Sequence, residues 1–271
     1  MVDLVYVLGN GSRWNNNELR YSLRSVEKNL KNYGKVFIVG ENPGFLKNII
    51  HIPYPDELGD MNADGNIIRK MLRICQESQL SDTFLFMNDD YIIHAETDAT
   101  NIPNLYKGDL NAFDDAYYQV NYWRSRLQNT CKTLNKLGLT ALHYDCHAPM
   151  LMNKKTFLEI IPQFNYEILP GLCMKSLYGN GAKLSGTEIT TEKVRVFSHY
   201  TFGQINELSK DACFLSYNDD GLNDSLRYWL ASRFPQPSSW ELPYLFIDKI
   251  ADIVQWRHTG QDYDRGCQIF K

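Results

Sequence analysis

Two short runs near the start of the chain, Leu4 to Gly9 (LVYVLG) and Lys35 to Gly40 (KVFIVG), are β-branched, leucine or aromatic almost throughout and end in glycine. Unbroken apolar runs of this length predict parallel strands covered on both faces. The segment between them, NNNELRYSLRSVEKNLKNYG, sets Leu19, Leu23, Val26 and Leu30 at helical spacing, with asparagines suited to the N-cap and Gly34 suited to the stop. The pattern then repeats. DGNIIRKMLRICQES puts Ile67, Ile68, Met71, Leu72 and Cys75 on one helical face, and the strand TFLFM follows. Strand and helix alternate, which predicts a doubly wound α/β sheet with right-handed crossovers.

Beyond Thr97 the period is lost. The polar and aromatic stretch up to about Gly138 (including DDAYYQVNYWRSRLQN) reads as an excursion over the carboxyl edge of the sheet. Its Tyr117, Tyr118, Tyr122 and Trp123 suit sugar stacking, a core or a partner surface equally. Lys154 to Ile161 reads as a helix stopped by Pro162, and Lys193 to Phe197 (KVRVF) as a strand. Three prolines in RFPQPSSWELP mark a connector into a helical piece, FIDKIADIVQWRHTG. The division expected is one domain over residues 1–232 and a connector with a C-terminal helical extension over 233–271.

Composition narrows the function classes. At 271 residues, 44% hydrophobic and 22% charged, the chain is long enough for a full core. A net charge of −4 gives no general basic field for nucleic acid. No segment approaches membrane-spanning length, the N-terminus lacks the charge of a signal peptide, and six cysteines lie scattered without CxxC pairs, so reduced thiols and a cytoplasmic location are expected.

The chemistry concentrates where a buried run meets charge. FLFMNDDYIIH, Phe84 to His94, reads as a central strand yet carries Asp89 and Asp90 side by side after Asn88. Adjacent carboxylates at a buried strand end repel and lose hydration, a cost that a divalent cation offsets. Ligands of open α/β sheets collect at the carboxyl ends of strands, and hard oxygens suit Mg²⁺ or Mn²⁺. Turn chemistry explains an acidic pair equally often. The loop GNGS (Gly9 to Ser12) permits close backbone approach to an anion, or is an ordinary glycine turn. Arg20 and Arg24, four apart beside the apolar stripe, suit a diphosphate or an ion pair with surface acids; Arg69 and Arg73 repeat the spacing. LHYDCHAPML holds His143, Asp145, Cys146 and His147; a fourth zinc ligand at standard spacing is lacking, and His147 suits general acid or base work or a structural place.

Taken together and in order, these segments resemble the Stealth family, which includes bacterial capsular polysaccharide phosphotransferases and the catalytic core of the animal N-acetylglucosamine-1-phosphotransferase. VDLVYVLGNGS resembles that family's opening strand and loop, NELRYSLRSVEKN its following helix, FLFMNDDYII its aspartate-bearing strand, and CHAPMLMNKKTF its His-Ala-Pro segment. The resemblance is dense from Val2 to Ile93, returns at His147 to Phe157 and is thin beyond. The loop Leu-Gly-Asn-Gly-Ser departs from the family's tryptophan and acidic residue or asparagine before the glycine, and the family's last basic segment is not placed, KSLYGN with Lys175 being no more than a candidate for it.

The resemblance implies a GT-A-like fold, a nucleotide-sugar donor, and transfer of a sugar 1-phosphate to an acceptor hydroxyl with release of a nucleoside monophosphate. Under it Asp89 and Asp90 hold Mg²⁺ or Mn²⁺, and Arg20, Arg24 and Lys175 neutralise charge. Asn10, Gly11, Ser12, Asn62, Asn66, Arg69 and Asn88 line the donor pocket. His147, or Asp90 if free of metal, takes the acceptor's proton. The acceptor expected is a glycan; a hydroxyl of modified DNA has little support from the acidic balance. Two rivals stand beside this: a glycosyltransferase releasing a nucleoside diphosphate, and a non-catalytic nucleotide-sugar-binding module.

Overall fold

The structure, a computed structural model, describes residues 1–189, 194–217 and 219–243. The helical piece expected from Phe246 onward, Lys193 and Cys267 lie outside these residues. Five strands, β1 (Val2–Leu8), β2 (Tyr33–Gly40), β3 (Ile50–Ile52), β4 (Thr83–Met87) and β5 (Met150–Asn153), form the central sheet in the order β3-β2-β1-β4-β5. All pairs are parallel except the outer one, where β5 runs antiparallel to β4.

Side chains alternate across a strand, so each run feeds two cores. On one face α1 (Asn17–Asn29) buries Leu19, Leu23 and Val26 against Leu4, Tyr6, Ile38 and Leu85. On the other, α2 (Ala63–Cys75) buries Ile68, Met71 and Ile74 against Val5, Val7, Phe37 and Phe86. Each such residue, fully removed from water, contributes about 1.5–3 kcal/mol. The doubly wound, mostly parallel sheet expected from the sequence is the one adopted.

The polar stretch holds more order than its pattern suggests. A helix, α3 (Tyr122–Lys136), lies inside it, burying Leu127, Cys131 and Leu134 on the α2 side of the sheet. Its remaining face is polar, so its short stripe was lost among tyrosines and arginines. After α4 (Lys154–Ile160), which ends ahead of Pro162 as expected, α5 (Met174–Gly181) packs into the same layer. A small second sheet joins Tyr91–Ile93, Phe214–Ser216 and Val194–Arg195, covered by α6 (Phe202–Leu208) and α7 (Asp224–Arg233) around the buried Trp229.

Two local expectations need correction. Gly34 does not stop α1, which ends at Asn29; it sits inside β2, where a Cβ would overlap the Asp3 carboxylate that accepts from Lys35 N–H at 2.7 Å. At the other end, Asn16 occupies the N-cap in the left-handed region at φ 56° with no side-chain cap bond. Ser12 supplies the order instead, its hydroxyl accepting from Asn16 N–H at 2.8 Å and Trp14 N–H at 3.2 Å while donating to Glu18 at 2.9 Å.

Candidate active site

The connection order fixes where a ligand can enter. From β1 the chain crosses to β2 on one side, and α2 returns it to β4 on the other, so the crevice between β1 and β4 is the switch point of the sheet. Tyr6 pairs in register with Met87, which brings the Gly9–Ser12 loop and the Asn88–Asp90 segment to the same edge. Lys70 fixes the end of β1 from below: its buried ammonium donates to Leu8 O at 2.9 Å and pairs with Asp56 at 2.6 Å. Neither Lys70 nor Asp56 stood out in the sequence, because a lysine in an apolar helix face reads as surface.

Asp89 and Asp90 occupy the centre of a tight turn closed by Tyr91 N–H donating to Asn88 O at 3.2 Å. The acidic pair is thus a turn, with both carboxylates half-buried. Burial, then the Asp90 charge, then Glu18 push the Asp89 carboxyl up to about 8, against backbone N–H bonds that favour the charged form. Glu18, buried in the first turn of α1, is itself raised chiefly by burial.

A hard divalent cation fits this donor set, since it would reverse the repulsion that lifts Asp89. Among the described residues no three His, Cys, Asp or Glu side chains form a ready-made ligand group. Two carboxylates holding such a cation would leave the remaining coordination to water and substrate oxygens, an arrangement common for Mg²⁺.

Beside the turn lies a cleft of about 130 Å³ lined by Asn88, Tyr91, His147, Lys175, Asp64, Asp145 and Trp123, with Ile67, Phe86, Cys146 and Met174 as its apolar part. Lys175, on α5 and only 5% exposed, donates to Ala148 O at 3.1 Å and to Cys146 O, with Tyr91 Oη 3.4 Å away. It thereby holds the His-Ala-Pro segment against the cleft. Asp145 caps α5, accepting from Ser176 N–H at 3.0 Å, from Lys175 N–H at 3.3 Å and from the Ser176 hydroxyl.

The other sequence candidates are placed elsewhere. Arg20 and Arg24 converge on Glu241, a side chain wholly removed from solvent: Arg20 Nη1 reaches it at 2.6 Å, Arg24 Nε and Nη2 at 2.7 Å. The partner is an acid of the proline-rich connector, not a surface acid, and Trp240 beside it packs on Tyr33. Asn62 caps α2 and donates to Tyr166 O at 3.0 Å and Glu167 O at 3.2 Å. Asn66 accepts from Glu57 and Leu58 N–H, and Arg69 pairs with Glu57 and Glu167. These three fasten two loops and do not line the cleft. Asn10 and Gly11 stand exposed at the loop tip.

Asp64 and Arg126 were not singled out as chemistry by sequence, and Trp123 only as one of four aromatics suited to sugar stacking, a core or a partner surface; of those four it is the one that lines the cleft. Asp64 is an ordinary acid of a first helical turn until α3 is known to cross it and supply Arg126. All five described cysteines are free thiols, four of them buried. Among the described residues no helix is long and apolar enough to cross a membrane.

The fold and site define an α/β chain with a carboxylate turn at its switch point. No family model matches the chain, and no curated protein does. It is similar to the solved galactosyltransferase LgtC with donor and acceptor sugar analogues, at 12% identity and TM-score 0.47 over 88% of this chain and 98% of that one. It is also similar to mouse xyloside xylosyltransferase 1, at 10% identity and TM-score 0.40 over 82% and 99%. A third likeness is to the bifunctional glycosyltransferase WbbM, at 12% identity and TM-score 0.45 over 87% and 50%. None of these three descriptions names the Stealth family. The functional reading rests on the side chains of the turn and the cleft.

Proposed function

We propose that the chain is a divalent-cation-dependent transferase that moves a sugar from a nucleotide-sugar donor to an acceptor hydroxyl, a glycan hydroxyl above all. The observation that carries this reading is the half-buried acid turn that adjoins, through Asn88 and Tyr91, a polar cleft at the switch point. Asp89 and Asp90 would hold Mg²⁺ or Mn²⁺, which when bound supplies the positive charge that a departing diphosphate needs. The Gly9–Ser12 loop, braced by Lys70 and Ser12, leaves Asn10 and Gly11 open beside it for the donor's phosphates. Asn88 and His147 face the sugar end, and Lys175 keeps His147 in place through its neighbours' carbonyls.

Two outcomes of the transfer follow from different evidence. Phosphoryl transfer asks for several cationic groups around the transferred phosphorus. Arg20 and Arg24, the candidates for that task, are engaged by Glu241, and Lys175 by backbone oxygens. That favours attack at the sugar carbon with release of a nucleoside diphosphate. The order of the Stealth-like segments favours transfer of the sugar 1-phosphate instead, with release of a monophosphate. Incubating the intact chain with Mn²⁺ and a panel of UDP-, GDP- and CDP-sugars separates the readings by the nucleotide set free. A melting-temperature shift with no nucleotide released would mark a binding module and overturn the proposal.

A further inference from the structure

The cleft contains a second charged cluster that the transfer proposed so far leaves without a role. Asp64 projects from the first turn of α2 and is paired with Arg126 of α3. Arg126 has no freedom to swing: its Nε donates to Pro170 O at 2.9 Å and its Nη2 to Met61 O at 3.0 Å. Only one Asp64 oxygen is engaged by that guanidinium; the side chain keeps 18% of its surface exposed and lines the cleft. Trp123, one turn before Arg126 on the same helix, lines the cleft as well and is 37% exposed. An aromatic face beside a fixed carboxylate is a sugar-binding arrangement, the ring covering the apolar face of a pyranose and the carboxylate accepting from its hydroxyls.

We propose that this end of the cleft is the acceptor subsite, with Trp123 carrying an acceptor sugar ring and Asp64, aligned by Arg126, taking the proton of the attacking hydroxyl. The inference deepens the transferase reading and rests on it. As the acceptor oxygen bonds to the donor's C1, the C1–O bond to the diphosphate breaks and its electron pair leaves with the diphosphate. The hydroxyl proton passes to Asp64. Two candidates for this proton therefore share the cleft, His147 from the sequence and Asp64 from the fold. Asp64 is the one whose position is fixed by a cation itself held at two further points.

The electrostatics agree with the geometry. Burial lifts the Asp64 carboxyl to about 6, with Asp145 adding to the rise and Arg126 and Lys175 opposing it. A base of that strength is matched to neutral pH, where an ordinary surface aspartate is too weak. The titratable groups facing it are Arg126 from α3, Asp145 and His147 from the segment before β5, and Cys173 and Lys175 at the start of α5.

Two measurements on the intact chain test this. Saturation-transfer NMR with methyl glucoside, galactoside and mannoside as probes is expected to show binding that Trp123→Ala removes and Asp64→Asn weakens. No transfer to any probe, or undiminished transfer in Trp123→Ala, would overturn the inference whatever the donor assay shows. Second, on a donor that the parent cleaves with Mn²⁺, Asp64→Asn should lose about 100-fold or more in kcat, with KM for the donor unchanged. The fall of the parent's rate below about pH 6 should disappear from the residual activity of that variant and persist in His147→Gln. Asp64→Glu, which keeps the charge and moves it, should bind the glycosides yet turn over slowly, so a fold defect in Asp64→Asn is separable. Retention of more than a tenth of the rate in Asp64→Asn, or loss of the acidic limb in His147→Gln, would assign the proton to the histidine. A parent that binds glycosides but cleaves no donor sinks the transferase reading and with it the proton role of Asp64, leaving only the sugar subsite at Trp123.

Discussion

Replacing Glu241 by alanine tests the reading of the arginine helix. The carboxylate is wholly buried and accepts from Arg20, from both Arg24 nitrogens and from Ser238 N–H at 2.8 Å. Arg24 and Arg20, together with the Ser238 N–H, hold it below its ordinary range although burial acts the other way. Truncation leaves two guanidiniums, 9% and 10% exposed, without their counter-ion. Breaking a buried pair from one side costs about 3–5 kcal/mol. At about 2–4 °C per kcal/mol for a domain of this size, the melting temperature should fall by about 6–20 °C. Glu241→Gln, which keeps the shape and loses the charge, should fall between the parent and the alanine variant.

The pH dependence has a defined sign. A carboxyl depressed in the folded state gives stability that is complete above its unfolded value, near 4.3, and lost as pH falls through the folded one. The gap between parent and Glu241→Ala should therefore be full at pH 7 and narrow in acid. The assay is scanning fluorimetry across pH, paired with turnover per folded molecule. A shift below about 2 °C, or a raised donor KM at an unchanged melting temperature, would refute the clasp and return both arginines to the donor.

Three further outcomes follow. Asp89→Asn removes one of two adjacent half-buried like charges, so the variant should melt a few degrees above the parent without added cation above pH 8, and lose both the Mn²⁺-induced shift and turnover; a variant that still shifts with Mn²⁺ excludes Asp89 as a ligand. Lys175→Met deletes the ammonium that holds Ala148 O and Cys146 O, costing about 1.5–3 kcal/mol by chemical denaturation and misplacing His147, so full activity in the variant would rule that role out. Gly34→Ala drives a methyl into Asp3, which bonds Lys35 and Ser81 N–H, and should cost about 1–3 kcal/mol in denaturant titration with catalysis untouched per folded molecule.

What the sequence disclosed and what it concealed divide along a physical line. Strands β1, β2 and β4 and the helices α1 and α2 were legible because each buries a face set by local spacing, Leu19, Leu23 and Val26 pointing one way whatever lies above them, whereas the short edge strands β3 and β5 were not read. The acid turn was legible for a related reason, since charge at the end of an apolar run is a local contradiction. Pairings across hundreds of residues carry no such mark. Arg20 and Arg24 meet an acid 221 and 217 positions away, and Asp64 meets its guanidinium 62 residues downstream in a helix whose short apolar stripe is hidden among polar residues. The same four-residue spacing of arginines serves a structural clasp or an anion site equally well; only the fate of the opposing carboxylate separates them.

That distinction bears on how the cleft is charged. Of the basic groups the sequence placed around a pyrophosphate, two neutralise Glu241, one fastens loops through Glu57 and Glu167, and one holds carbonyls. The acids that line the cleft are Asp64 and Asp145, with Lys175 and His147 beside them, and the Asp89–Asp90 turn adjoins it through Asn88 and Tyr91. A donor diphosphate would be repelled by such a surface unless a cation came with it. Under the proposed function a cation on the Asp89–Asp90 turn would therefore accompany the diphosphate, and the cleft beside it, with Trp123 and Asp64 in its wall, would take the sugar.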